Sequence, residues 1–477
     1  MPRRIVRLTP PGDRLREVFA EIRAEIGVPE TFRAEVLAEA ERASTEPRLP
    51  EVDRTDIPFV TIDPPTSLDL DQALQLEGLG AGFRVRYAIA DVAAFVEPGG
   101  VVDAEAHRRG ETAYSPDMRS PLYPPALSEA AASLLPDGPR PAVVWRLDIG
   151  AAGDLVDTHV ERAMVASRAK LSYAEVQRSL DAGTADDSLA LLPEIGGVLQ
   201  RAERARGGAS LGVPRQEVVP SGDGYALRFE APLAVEGWNA QLSLLTGRAA
   251  AQLMVTGGVG VLRTMPPPDP RDVARLRRIA WALHVEWPDD MRYGDLLHTV
   301  DGQRSTTEAV FLQEAAVLFR GASYTAFDGE VPLEPVHAAI AATYAHCTAP
   351  LRRLVDRYAL ETCLALCQER AVPGWVLEGL PSLPGEMAAA TDRHNRLERT
   401  VIDAVEAAVL APSVGHLSDA LVIDLWKRGR GEVALRDPAV IGPCDDVQEL
   451  AAEVRVRLEE ADVSTRTIRF TRVRAGA

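Results

Sequence analysis

The stretch Pro58–Leu76, PFVTIDPPTSLDLDQALQL, decides the reading of this chain. An apolar strand, Phe59–Ile62, is expected to deliver Asp63 at its end. Pro64-Pro65-Thr66-Ser67 reads as a turn, and Asp69 and Asp71 follow in alternation. In an extended chain both of these carboxylates point to one side, and the turn can fold Asp63 back beside them. Three carboxylates so gathered repel one another and are costly to bury. A hard divalent cation such as Mg2+ or Mn2+ relieves that cost through its oxygen ligands. Such an ion can activate water and offset charge on a phosphoryl group. Clustered aspartates beside a turn are also common in Asx-turns and solvated loops, so these residues do not make the case alone.

Two further segments carry chemistry. In Tyr344–Asp356, YAHCTAPLRRLVD, Thr348-Ala349-Pro350 reads as a turn or helix start that places Arg352 and Arg353 in the first turns of a helix. Arginine suits bidentate phosphate contact. The plainer alternative is a surface pair bridged to Asp356. In His394–Val401, HNRLERTV, Glu398 and Arg399 open a long helix and read equally as surface ions. The four cysteines, Cys347, Cys363, Cys367 and Cys444, form no C-x-x-C pair. Cys363 and Cys367 stand four apart in an apolar helical pattern, as core thiols do.

Around these segments the chain has 477 residues, enough for about three domains. Its formal charge is −18 and its pI is about 5.0, which excludes a uniformly basic surface but not a basic channel. No stretch reaches the roughly 18 apolar residues of a membrane span. The start, MPRRIVRLTPPGD, lacks the apolar run of a signal peptide, so a cytoplasmic, reduced setting without membrane contact is expected. Residues 1–50 read as helical, with one helix over Asp13–Ile26 closed by Gly27. A second runs over Phe32–Ala43, with Phe32, Val36, Leu37 and Ala40 on one face. The two form either a helix-turn-helix element or an arm packed on the main domain. From 51 to 412 strands mostly precede helices, which favours an α+β fold. The segment 417–477 holds short strands, among them the strictly alternating AEVRVRLE, and suggests a small OB-type barrel.

Taken together, TIDPPTSLDLDQAL, YAIADVAAFVEPGG, SRAKLSYAEVQ, YAHCTAPLRR and NRLER resemble, in order and approximate spacing, the ribonuclease II family, whose catalytic unit is the RNB domain. AEVRVRLEEADVSTRTIRFTRV resembles the end of that family's RNA-binding OB domain. The resemblance runs from about Thr31 to the C-terminus. It implies a processive 3′–5′ exoribonuclease that cuts single-stranded RNA to nucleoside 5′-monophosphates with Mg2+ or Mn2+, acting as a monomer. Asp63, Asp69 and Asp71 match the acidic cluster that binds metal and carries out hydrolysis, with Asp71 at the most critical carboxylate. Arg352 matches the arginine on the scissile phosphate, and Glu398 a glutamate near the centre. Tyr114, in GETAYSPDM, falls near a tyrosine that stacks on the terminal nucleotide, a contact that tolerates any base. Arg353 follows Arg352 into the phosphate site. Arg466, Arg469, Arg472 and Arg474 lie in Val463–Arg474, a run without an acid, and read either as a phosphate-tracking strand or as a solvated face.

Departures from the family pattern carry their own expectations. Gln72 stands where a fourth aspartate is usual. Its neutral carbonyl can still ligate metal but adds no charge, so a weaker or shifted metal preference is expected. Ala349 and Leu354 replace a usual Ser and a usual aromatic. Only some thirty residues precede the matching region, too few for the cold-shock domains of larger members, so a less hooded RNA entrance is expected. Two rival readings are a catalytically weakened RNA-binding member and an unrelated phosphatase built on Asp69–Asp71.

Overall fold

The computed structural model describes residues 13–473, apart from 212–214, 222, 223, 231, 303, 436–439 and 451. A six-stranded sheet forms the centre. Its strands lie in the order Leu155–Val165, Arg140–Ile149, Gly82–Ala90, Gln72–Leu79, Phe59–Ile62 and Ser167–Leu171. All neighbours are antiparallel except the last two, which pair in parallel. Their composition explains the layer. Gly82–Ala90 and Arg140–Ile149 alternate apolar and charged residues at one end and become wholly apolar toward Ala90 and Ala142, where both faces are covered. Trp145, Tyr87, Phe59, Leu70 and Leu74 are the large side chains of this core.

Two helices press on the sheet. Ala234–Gly257 carries Leu242, Leu245 and Met254 inward. Leu354–Cys367 is buried on nearly every side, which accounts for its lack of an amphipathic pattern. Cys363 sits in this core and Cys367 at its margin, and all four cysteines are unpaired thiols.

The five strands Leu417–Leu425, Arg430–Leu435, Ile441–Asp445, Glu453–Asp462 and Thr467–Arg472 close into a barrel. The alternation expected of AEVRVRLE is present: Val454, Val456 and Leu458 point in. The barrel does not keep its core to itself. Phe19 and Ile22 of the Asp13–Ile26 helix and Leu397, Val401 and Val405 of the 28-residue Leu383–Leu410 helix share it with Val456 and Phe470.

The first helix spans Asp13–Ile26, with Gly27 at φ 74° beyond it, as the sequence suggested. The second spans Ala34–Thr45, not Phe32–Ala43, and Leu37 is 43% exposed while Val36 and Ala40 are buried. Leu37 therefore leaves the face assigned to it. The two helices do not form a helix-turn-helix unit. The first packs into the barrel core, and the second contributes Val36 and Ala40 to the sheet core. The long helix expected to open within His394–Val401 begins at Leu383, and Pro384 sits in its first turn, where a proline leaves no hydrogen bond unmade.

Candidate active site

Asp69 and Asp71 lie on an extended, irregular segment, not a laddered strand. Side chains and backbone from residues 133 and 134 replace the ladder. The Leu70 N–H donates to Ser133 Oγ at 2.9 Å, Ser133 Oγ donates to the Leu68 carbonyl at 2.5 Å, and the Leu134 N–H donates to the Leu70 carbonyl at 3.0 Å. Leu70 is fully buried on one side, which turns its two acidic neighbours to the other.

Asp71 meets the 348–356 segment there. Its Oδ1 accepts from the Leu351 N–H at 2.8 Å and its Oδ2 from Arg352 Nε at 3.2 Å. The segment has several further tethers. The Ala349 N–H donates to Asp356 at 2.7 Å, the Thr112 N–H to the Arg352 carbonyl at 3.0 Å, and the Leu354 N–H to the Gly110 carbonyl at 2.9 Å. Gln72 joins them by donating its side-chain amide to the Thr348 carbonyl. Arg352 is thus fixed from its backbone while its guanidinium stays about one third exposed.

Asp63 ends the Phe59–Ile62 strand, with its N–H on the Leu171 carbonyl at 3.0 Å. Lys170 ties the turn that follows, donating to the carbonyls of Pro65 at 2.9 Å and Ser67 at 2.5 Å. Asp69 is paired to Arg119 at 2.5 Å, and Arg119 also holds Glu129 at 2.6 Å. Electrostatics link the three aspartates. Burial pushes the Asp63 carboxyl up to about 7 against the pull of Arg352, and Asp69 adds to the rise. Burial pushes Asp71 up to about 8 against Arg352 and the Leu351 N–H, again with Asp69 adding to it. Burial opposes the charge of Arg352, and Asp71 and its other anionic neighbours outweigh that and hold it above its ordinary value.

Tyr114 sits on the short hairpin of Ala113–Tyr114 and Arg119–Ser120 and is 37% exposed. Its ring meets His394 edge-on at 6.4 Å. Glu398 lies one turn further along the same helix and is half-buried. Arg23 of the first helix braces the hairpin, donating to Ser115 Oγ at 3.0 Å and Asp117 at 2.7 Å. The structure therefore brings Asp63, Asp69, Asp71 and Arg352 within electrostatic reach of one another, with Tyr114 close enough to Arg352 for their charges to interact.

Other expected residues stand elsewhere or are otherwise engaged. Arg353 is half-buried and grips the buried Asp356 with two hydrogen bonds of 2.9 Å, so it supports the segment and does not reach out from it. Arg466 is held by Glu25 at 2.6 and 2.7 Å, and Arg469 faces Glu460 and Asp445 at 3.4 and 3.7 Å. Both are on the barrel, and their partners correct the picture of an acid-free phosphate track. The acids come from other strands and from the first helix, which a linear run does not reveal. Arg472 is on the same strand, and Arg474 lies outside the described residues. Arg119 and Lys170 were not singled out from sequence. Lys170 stands within SRAKLSYAEVQ and so had a signal, and Arg119 had none.

The donor chemistry at Asp63, Asp69 and Asp71 fits a hard cation: anionic oxygens, two of them desolvated enough to resist ionisation without added positive charge. Among the described residues, however, no three carboxylate, imidazole or thiol groups converge closely enough to hold an ion. Arg119 pairs with Asp69 and Arg352 with Asp71 instead. Gln72, expected as a ligand, has its amide nitrogen committed to Thr348.

The fold that carries this centre, a six-stranded sheet with its helices and a five-stranded barrel, has counterparts among known proteins. The RNB domain model matches residues 51–367, and the model of the RNase II-type exonuclease C-terminal S1 domain matches residues 417–473. The chain belongs to the RNB-domain family. Ribonuclease R of Escherichia coli is 26% identical over 423 residues, covering 83% of this chain. This chain spans about half the length of that protein, 51%. RNase R of Mycoplasma genitalium, solved with ribose-methylated single-stranded RNA, superposes with a TM-score of 0.84 at 18% identity, covering 97% of this chain and 78% of its own. Yeast Ssd1, described as a pseudonuclease, superposes with a TM-score of 0.68 at 15% identity, covering 90% of this chain and 53% of its own. No described helix is long and apolar enough to cross a membrane.

Proposed function

We propose that this protein is a processive 3′–5′ exoribonuclease that hydrolyses single-stranded RNA to nucleoside 5′-monophosphates with Mg2+ or Mn2+. The observation that carries this reading is the contact of Asp71 with both the Leu351 N–H and the Arg352 guanidinium. A carboxylate this buried has little purpose unless its charge is used, and the arrangement sets one donor and one acceptor side by side. Asp63, Asp69 and Asp71 would hold the divalent cation. When bound, it supplies an activated water and charge stabilisation at the scissile phosphate. Arg352 offsets negative charge that grows on the phosphoryl oxygens, and its fixed backbone lowers the reorganisation needed to do so. Tyr114 offers a face for stacking on a terminal base, and His394 and the Arg23 brace keep that ring in place. Glu398 stands behind it as a positioning group. Ribose 2′-hydroxyls would distinguish RNA from DNA. The acting unit is a monomer in the cytoplasm.

The test is incubation of 3′-hydroxyl single-stranded RNA with Mg2+ or Mn2+, beside an Asp71→Asn variant. Release of mononucleotides by the wild type alone supports the reading. One observation favours a second reading, a weakened RNA-binding member of the family: the acidic side chains are paired to arginines, and Gln72 serves the backbone of Thr348. Tight RNA binding with no release by either protein would establish it. Cleavage confined to small phosphomonoesters would point to a phosphatase instead.

A further inference from the structure

Among the described residues, two arginines outside this centre share one nearby acid between them. The Leu192–Arg206 and Ala234–Gly257 helices run side by side in the same direction. Gly196 lies against Trp238, and further along Glu203 accepts from Gln241 Nε2 at 2.6 Å. Beyond these contacts Arg206 ends the first helix and Arg248 stands on the second. Among the described residues Glu203 is the one acid whose charge acts on either guanidinium, and it is already bonded to Gln241 and, at 2.7 Å, to Ser210 Oγ. Among the described residues neither arginine forms an ion pair, and Arg206 Nε is buried without a hydrogen-bond partner. Burial pushes Arg248 down to about 10, and Arg206 pushes it the same way. Arg292, beside Gly207, is different, because Asp295 holds it at 2.8 and 3.0 Å.

Dehydrated positive charges without a counter-charge are destabilising. Several other arginines of this protein have an acid of their own. Arg84 has Asp148, Arg109 has Glu105, Arg162 has Asp91 and Arg357 has Asp103. The half-buried Arg206 and Arg248, with two positive charges to one acid already bonded elsewhere, leave room for an anion from outside.

The helix that carries Arg248 also reaches the catalytic centre. Asn239 Nδ2 donates to the Tyr173 hydroxyl at 3.4 Å, and burial and then the Asp63 charge raise that hydroxyl to about 12. Ser243 meets the Tyr87 hydroxyl at 3.0 Å, and the Gly247 carbonyl accepts from the Ala345 N–H at 3.0 Å. A Cβ at Gly247 would run into the Tyr344 ring and the Ala345 carbonyl, so a glycine is required for that approach. From Asn239 to Arg248 is about 13 Å along the axis, within reach of one extended RNA strand.

We propose that Arg206 and Arg248 form a second anion subsite, which takes a backbone phosphate of the bound RNA on the 5′ side of the scissile linkage. This rests on the ribonuclease reading above. It makes the subsite a ruler along the strand, sensitive to charge and indifferent to base.

The test uses 3′-hydroxyl oligoribonucleotides with one neutral methylphosphonate at successive linkages, bound in EDTA so that nothing is cut. Wild-type affinity should fall about tenfold at one linkage several nucleotides from the 3′ end. Arg248→Gln should bind the unmodified strand about tenfold more weakly, with a salt slope lower by about one, and show no further loss at that linkage. Arg206→Gln should repeat the pattern. Both variants should melt at the wild-type temperature or above it, since a strained charge is gone. An arginine with a merely structural role would lower the melting temperature and leave the linkage penalty intact. Variants that bind like the wild type, or keep that penalty, overturn the subsite alone. A wild type that binds no RNA overturns the ribonuclease reading and the subsite with it.

Discussion

The Asp71–Arg352 centre and the Thr467–Arg472 edge of the barrel both present charge in the sequence, and the structure treats them oppositely. Asp71 is 4% exposed, bonded to a backbone N–H and a guanidinium, and held by a segment tethered at several points. Arg466 and Arg469 sit on the surface, each closed by an acid brought from elsewhere in the chain. The lesson is that a run of like charge says little until its partners in space are known. A charge placed where it is expensive to keep says much more. The two regions differ in exposure, and solvent screening makes the exposed pairs worth little.

The comparison breaks most visibly at the centre. Asp71→Asn should reduce mononucleotide release at saturating Mg2+ by more than about a hundredfold while RNA binding in EDTA persists. Arg352→Ala should lower kcat by about 10²–10³, with a smaller change in binding. If either variant keeps near wild-type turnover, the buried centre is structural. Between the two regions stands Tyr114→Ala, which should weaken single-strand affinity by about 5- to 150-fold, the equivalent of roughly 1–3 kcal/mol of lost stacking. Gln72→Asp sharpens the contrast within the centre. It leaves the buried Thr348 carbonyl without its donor, so thermal unfolding should show a loss of about 1–3 kcal/mol. A ligand role predicts instead a lower Mg2+ concentration for half-maximal activity. Smallest of all, Arg466→Ala and Arg469→Ala should shift RNA affinity by less than about twofold, because each arginine is already paired to a solvated acid of the chain itself. A large loss there would restore the barrel edge as a phosphate track.

Much of this was legible in the order of residues. The Asp13–Ile26 helix and the alternating Glu453–Asp462 strand follow from periodicity, because each has one face in a core, and the Phe59–Ile62 strand follows from its short apolar run, which is buried at all four positions. The aspartates and Arg352 were legible as residue types at a spacing. Three things were not. Leu37 fits a helical face on paper, but the face is set by where the neighbouring helix lies. The shared core of the first helix, the Leu383–Leu410 helix and the barrel unites the two ends of the chain, and no local pattern encodes that. The pairing of Arg466 with Glu25 spans 441 positions and is invisible to any reading of a window. Gln72 shows the same limit at short range: its neighbour Asp71 suggested a ligand, and its contact, Thr348, is 276 positions away.

The bond from Asp71 to Leu351 closes a loop of 280 residues. A growing polypeptide that has emerged only as far as the aspartates has all of its acidic side chains and none of the turn that makes them a site. During synthesis on a ribosome the Asp71–Leu351 contact therefore stays unmade until most of the chain is out. Under the ribonuclease proposal, the messenger being translated, itself a single-stranded RNA, would meet no assembled centre until then. Long-range closure, ordinarily a folding liability, would then act as a delay.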